Sequence, residues 1–336
     1  MTIEPALATS TRTVYGIAWF EEAITCARDV LGHREVVSVG GVQGTVEFPS
    51  LADWSPTESD PLNVPLVSPE IAKDWKRGGE PIWWGRPTSY PAGNASVNCV
   101  LLEFVIQESE LQSAGIQIRD AFMLWRSTFD EFLELITKQR RTRAIEATGE
   151  VSGLHLFYRD AEDKHVWAYD DNIHVTITSS REDTRLKLTQ LKQICSLCSS
   201  QVRPSLEYSL QLDAYRALRR ADYRKVVIDS ATAAEVVLTK AIVKRCNETG
   251  KDSGKLLKQR HFQTLGGRLE LARTLAVPLP NIDFRQLVVK PRNDAIHQGK
   301  VATTSAATQA VNAVDNLLAL LNPLALLDQA IHIHVD

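Results

Sequence analysis

The chain has 336 residues, enough for two domains with separate cores. Hydrophobic residues at 44% and charged residues at 24% are ordinary globular values, which exclude a disordered or fibrous chain. Net charge is only −3, yet residues 1–200 carry 19 basic and 28 acidic side chains (−9), and residues 201–336 carry 19 and 13 (+6). A basic part behind an acidic one points to a polyanionic partner for the C-terminal part and lets the two parts attract each other. Five cysteines, an odd number, argue for a reducing compartment rather than a disulfide framework. The opening MTIEPALATSTRT lacks the basic start and apolar core of a signal peptide. The most apolar run, Leu317–Leu327, is interrupted by Asn322 and Pro323 and is too short to span a bilayer. A cytoplasmic protein without a membrane partner is expected.

In chain order, residues 1–200 are expected to form an α+β domain. Thr11–Trp19 reads as a strand, and Phe20–Leu31 has helical spacing through Ile24, Ala27 and Leu31. Arg34–Phe48 reads as a β-hairpin turned at Gly40 and Gly41. No helix follows Gly40, Gly41 and Gly44, so they are turn and bulge residues rather than a dinucleotide loop. Pro49–Gly93 is loop-rich and holds Trp54, Trp75, Trp83 and Trp84, which suit packing on a sheet better than stacking on bases. Ser96–Ile106 is a buried strand by its continuous apolar character. Ile116–Thr137 is an amphipathic helix built on Ile118, Phe122, Trp125, Phe129, Phe132 and Ile136. The basic run at Lys138, Arg140, Arg141 and Arg143 suits a solvated helix end. Leu154–Tyr158, His165–Tyr169 and Ile173–Thr178 look like antiparallel strands, and Arg181–Ser200 a helix leading to the second domain. Cys195 and Cys198 lack the second ligand pair of a zinc site and read as core residues. His332 and His334 are an equally slight metal signal, so no metal and no cofactor is expected.

Residues 206–336 read as helices throughout. Leu206–Arg220 has a basic face at Arg216, Arg219 and Arg220, and Arg224 with Lys225 opens the next helix, Asp222–Cys246. That helix should bury Val226, Ala233, Val237, Ala241 and Val243. Asn247–Arg260 is expected to be a flexible basic loop containing Lys255, Lys258 and Arg260. Gly250 and Gly254 are one residue too close for a phosphate-binding loop, and Leu256 follows Lys255. Phe262–Leu275 is a helix, Ile282–Val289 leads into the stretch below, and Thr303–Leu321 is the last long helix. Its Val311, Val314, Leu317, Leu318 and Leu321 form a bundle or dimer face.

The chemistry is expected in Pro291-Arg292-Asn293-Asp294-Ala295-Ile296-His297. At about 100° per helical residue Asn293 and His297 share a face, so the amide can hold the imidazole in one tautomer. Arg292 lies roughly 140° round from His297 on a straight helix. Pro291 fits a helix start, which would leave Arg292 beside free N–H groups that favour a phosphate. A guanidinium matches phosphate geometry and a histidine moves protons near neutral pH, a pairing suited to phosphoryl chemistry.

With its flanks DYRKVVIDSATAAEVVLTKAIVKRC and FRQLVVKPRNDAIHQGK, this stretch resembles the HEPN family, small all-α domains with an Arg-x4-6-His motif and a polar residue after the arginine. RNDAIH matches at Arg292, Asn293 and His297, and the resemblance covers roughly Leu206 to Leu327. It implies a helical bundle, a homodimer through the C-terminal helices whose interface assembles the Arg/Asn/His site from both subunits, and a metal-independent endoribonuclease of toxin or antiviral role. The resemblance does not extend to residues 1–200, which are expected either to regulate the nuclease, sensing a phage or cellular trigger, or to recruit a particular RNA. The alternative is a non-catalytic module that binds nucleotides, RNA or a partner. Family members silenced by adenylylation carry a tyrosine two residues after the histidine, where this chain has Gly299. Glu235 is a candidate to orient Arg292. The RNA surface is expected at Arg219, Arg220, Arg224, Lys225, Lys255, Lys258, Arg260 and Lys290.

Overall fold

Long β-branched and aromatic runs in the first part, and alanine-rich helical patterns in the second, separate into two bodies. The computed structural model describes residues 10–51, 62–63, 65, 76–77, 80–88, 94–137, 139, 154–159, 165–169 and 185–324. Its contacts divide the chain into Met1–Arg203 and Pro204–Asp336. The first unit is α+β around an antiparallel sheet, and the second is helical among its described residues. No helix among the described residues is long and apolar enough to cross a membrane.

In the first unit the strands are β1 (Thr11–Ala27), β2 (Arg34–Val39), β3 (Val42–Glu47), β4 (Lys76–Arg77), β5 (Glu80–Pro81), β6 (Gly85–Thr88), β7 (Asn94–Gln107), β8 (Leu154–Arg159) and β9 (His165–Tyr169). The main sheet runs β2-β3-β7-β1-β8-β9, with β6 also on β7. The expected hairpin is present, and Gly40 and Gly41 turn it with φ of +61° and +86°, the left-handed region a two-residue hairpin turn requires. The helix expected over Phe20–Leu31 is not there. β1 continues to Ala27, pairing Ile24 with Val97 after a register shift that follows Trp19, and only Arg28–Val30 form a 3-10 turn. The shift lies before Ile24, and Ile24 to Ala27 pair in regular register with Val97 to Asn94, so tertiary strand pairing overrides the helical spacing.

Helix α1 (Leu111–Thr137) lies against this sheet, beginning five residues before the expected start, and buries Ile118, Phe122, Trp125, Phe129 and Phe132. Phe20 stacks on Phe129 at 6.1 Å, and Arg126 sits 4.4 Å over the Phe20 ring while pairing with Asp130 at 2.7 Å. Arg126 also donates to the Trp19 carbonyl at 2.5 Å, at the start of the β1 irregularity. Helix α2 spans only Leu188–Ser199. The expected start at Arg181 is corrected at 185–187, because Leu186 bridges in parallel to Cys26 and exchanges backbone bonds with Thr25 and Ala27. Cys195 and Cys198 are buried core residues, and burial pushes both thiols up. Trp84 is buried, whereas Trp83 is exposed. Trp54, Trp75, the basic run from Lys138 to Arg143, Ile173–Thr178, His332 and His334 lie outside the described residues.

The second unit contains α3 (Leu206–Arg219), α4 (Tyr223–Glu248), α5 (Ser253–Leu257), α6 (Leu265–Thr274), α7 (Lys290–His297) and α8 (Thr304–Leu321). Side chains cap four of them: Asp222, Asp252, Thr264 and Thr303 accept from the N–H of Lys225, Lys255, Gly267 and Ala306, each cap stabilising by about 1 kcal/mol. Helix α4 is the axis. Val226 and Val237 are buried as expected, but so are Val227, Ala234, Leu238 and Ile242, while Ala241 and Val243 are half-buried. A helix packed on several sides has no single apolar stripe. The α8 residues Val311, Val314, Leu317 and Leu318 are buried inside this unit, so the bundle itself occupies the face expected to serve a bundle or a dimer. Residues 247–260 hold the ordered turn of α5 rather than an irregular loop, and a 3-10 turn, Arg260–Phe262, follows.

Polar side chains fix how these helices meet. Gln211 and Tyr215 on α3 both donate to Asp315 on α8. Glu207, fully buried, accepts from Lys240 Nζ at 2.7 and 2.8 Å and from Asn322 Nδ2 at 2.8 Å. Burial pushes the Glu207 carboxyl up, but hydrogen bonds from Lys240, its own backbone and Ser205 outweigh it and hold it below the ordinary glutamate value. A depressed folded-state value stabilises above the unfolded glutamate pKa, and that stability is lost as pH falls through the folded value. Lys240→Ala removes the largest contribution opposing burial, so acid unfolding moves to higher pH. The expected cost at neutral pH is about 1–2 kcal/mol, kept low because the ammonium is half exposed. Circular dichroism against pH reads the shift, and an unmoved acid midpoint refutes it.

Candidate functional site

Pro291 lacks an N–H, and in a regular α-helix its ring would meet the carbonyl of Leu287. The chain accommodates it by widening instead of stopping. Arg285–Val289 form a π turn in which the Lys290 N–H reaches Arg285 O, and Val289 and Lys290 keep helical dihedrals into α7. Such single-turn π segments are a known way of absorbing a misfit. The expectation that Arg292 stands beside free N–H groups at a new helix start is therefore corrected: helical backbone runs unbroken from Phe284 to His297. Helix α7 ends where Gly299 takes φ of +63° and the N–H groups of Gln298 and Lys300 both reach Asp294 O. A tyrosine at Gly299 would be strained there. Ala295 is the one buried residue of α7 and joins the core cluster of Val226, Ala307 and Val311. The helix is thus pinned on one side while its polar residues face a pocket.

That pocket, of about 580 Å³, is lined by Arg292, Asn293 and His297 together, with Arg285, Val289, Lys290 and Asp294 from the same helical run. All three motif residues therefore reach one cavity of one protomer. The opposite wall is His261, Thr264, Leu265, Gly266, Gly267 and Glu270, where the Arg260–Phe262 turn folds onto the start of α6. Glycine makes this wall possible: a Cβ on Gly267 would come within 1.8 Å of His261 O. Gly266 brings α6 against Val289, whose Cγ1 lies 3.8 Å from where its Cβ would be. Three fixed cations (Arg285, Lys290, Arg292) face two carboxylates (Glu270, Asp294), leaving a positive excess for an anion.

Arg292 is half-buried, and Asn293 and His297 are exposed. The Arg292 guanidinium donates to Asn293 Oδ1 at 3.0 Å. Asn293 thus engages the arginine next to it instead of the imidazole expected. Glu235 does not serve Arg292: it pairs with Arg268 at 3.2 Å, and Arg268 also donates to Thr239 Oγ1 at 2.5 Å. Of the expected RNA-binding side chains, Lys290 lines the pocket. Arg219, Arg220, Arg224, Lys255, Lys258 and Arg260 are exposed but do not line it, and Lys225, also exposed, is held by Asp229 at 2.7 Å. Arg216, expected on the basic face of α3, is buried beside Asp213 at 3.4 Å. His261, Arg285, Glu270 and Asp294 belong to the site and were not singled out from sequence. His261 lies 36 residues before His297, a separation without motif meaning that only the fold closes. No protein-family model matches the chain, and comparisons with curated proteins and with solved structures also return no match.

Proposed function

We propose that residues 206–336 form a HEPN-type endoribonuclease that cuts RNA without a metal ion. The observation that carries this reading is the convergence of Arg292, Asn293 and His297 on one positively charged pocket. With RNA across it, the 2′-hydroxyl attacks its own phosphodiester, an imidazole handles the proton, and the guanidinium stabilises charge building on the phosphate oxygens. Nucleophile, proton carrier and electrostatic partner are then all supplied without a metal. Residues 1–200 are, in this proposal, the regulatory part of a toxin or antiviral effector and respond to a phage or cellular trigger.

The test is the purified 336-residue chain with mixed RNAs in EDTA, at low and at raised salt. Products ending in 2′,3′-cyclic phosphate and 5′-hydroxyl are expected. A second reading, a non-catalytic phosphate-binding module, draws on Asn293 holding Arg292 rather than orienting His297. RNA retained but uncut under every condition supports it instead.

The active form we propose is a homodimer. The exposed apolar side chains beside the motif, Ile296 and Val301, support pairing across that face, since the α8 stripe is buried within the unit. Sedimentation is expected to give a dimer that Ile296→Asp with Val301→Asp converts to a monomer. A wild-type monomer that cuts RNA at micromolar concentration refutes the pairing.

A further inference from the structure

The proposed ribonuclease needs two proton transfers, and the motif supplies one imidazole. Cleavage forms the O2′–P bond and breaks the P–O5′ bond. A base must take the 2′-hydroxyl proton, and an acid must give a proton to the departing 5′-oxygen. Resting on the ribonuclease reading, we infer that His261 is the second proton-transfer group, working across the pocket from His297.

Three observations carry it. Both imidazoles line the same cavity as Arg292, and among its lining residues they are the two histidines. They come from different segments, His297 at the end of α7 and His261 on the turn before α6, so both open onto the cavity that a phosphodiester held at Arg292 would occupy. The His261 backbone is also built in: its carbonyl packs on Gly267 where no side chain would fit, and its ring lies 3.8 Å from that of Phe262. A histidine in a loose loop would lack the packing of its carbonyl on Gly267. The charged groups around it are Glu270 on α6, Arg285, Lys290, Arg292 and Asp294 on the facing helical run, and Arg260 on its own turn. Neither carboxylate removes the need for an imidazole. An imidazole both accepts and donates near neutral pH, whereas an ordinary carboxylate is a weak acid catalyst there because it is already ionised.

The experiment is the pH dependence of RNA cleavage by the full chain and its His261→Gln and His297→Gln variants, repeated on a uridine 3′-phosphodiester with a 4-nitrophenol leaving group. Glutamine keeps size and polarity but cannot titrate. The wild type should give a bell-shaped profile. His261→Gln should lose about 10²–10⁴-fold at the optimum and one limb of the bell, and His297→Gln the other limb. Nitrophenolate leaves without protonation, so the variant lacking the acid recovers on that substrate and the variant lacking the base does not. A His261→Gln variant that keeps both limbs, whether at full rate or uniformly slowed on both substrates, overturns the assignment while leaving the ribonuclease reading intact. A wild type that cuts neither substrate overturns both.

Discussion

RNA cleavage is expected to fall by about 10²–10⁴-fold in His297→Ala and by about 10²–10³-fold in Arg292→Ala, with the circular dichroism spectrum unchanged in both. The size follows from what each group does as the transition state forms. In the proposed mechanism the imidazole carries a proton, and the guanidinium meets charge that is smaller in the ground state, so both losses should appear mainly in kcat. The preserved fold follows from the structure of α7. The helix is held by Ala295 in the core and by the bonds of Gln298 and Lys300 to Asp294 O, none of which involves the Arg292 or His297 side chain. Asn293→Ala separates two roles of the amide. Because Asn293 accepts from Arg292 at 3.0 Å, its loss frees the guanidinium and should raise KM more than it lowers kcat. A substrate lacking the 2′-hydroxyl should be inert. Cleavage of DNA, or full activity in either alanine variant, would sink the mechanism.

The α+β character, the hairpin, the buried β7 strand and the helical second unit were legible because their signals are local: alternation, glycine pairs and capping residues. The misread segments share a cause, since a tertiary partner decided them. Phe20–Ala27 became strand because β7 continues to offer it a register, and Arg185–Lys187 became extended because β1 offers Leu186 a partner. Pro291 was read as a helix start by the usual rule, but a π turn, which no propensity signals, let the helix pass through it. In the site, residues close in sequence were visible and residues brought by folding were not. Arg292, Asn293, His297 and Lys290, legible as one stretch, line one pocket. His261 and Glu270 come from another segment that only folding brings to the pocket, and Glu235, a candidate to orient Arg292, pairs with Arg268 instead.

The segment bearing His261 and Glu270 yields the sharpest structural test, a pair of adjacent glycines expected to respond to alanine with opposite sign. Gly266 and Gly267 both lie in the first turn of α6, and neither has a positive φ. On backbone grounds alone, alanine at either should stabilise the helix by roughly 0.5–1 kcal/mol. At Gly266 it should do so, since the nearest atom to the new methyl is Val289 Cγ1 at 3.8 Å, an ordinary contact. At Gly267 the methyl would stand 1.8 Å from His261 O, 2.8 Å from its carbonyl carbon and 2.9 Å from the Cα of Phe262. These are backbone atoms of a turn that also supplies the pocket wall, so no rotamer change relieves them. Overpacking of this kind costs about 1–3 kcal/mol, more where backbone must move, and it exceeds the propensity gain. Gly267→Ala should therefore lower the unfolding midpoint of the helical unit by several degrees while Gly266→Ala leaves it equal or higher, at roughly 2–8 °C per kcal/mol. The same displacement shifts His261 within the pocket wall, so, on the inferred role of His261, Gly267→Ala should also lose RNA cleavage at temperatures where it remains folded. Thermal unfolding of the two variants side by side decides the matter: a Gly267→Ala chain as stable as Gly266→Ala would mean that the turn is not packed against α6 as described, and the two-walled pocket would go with it.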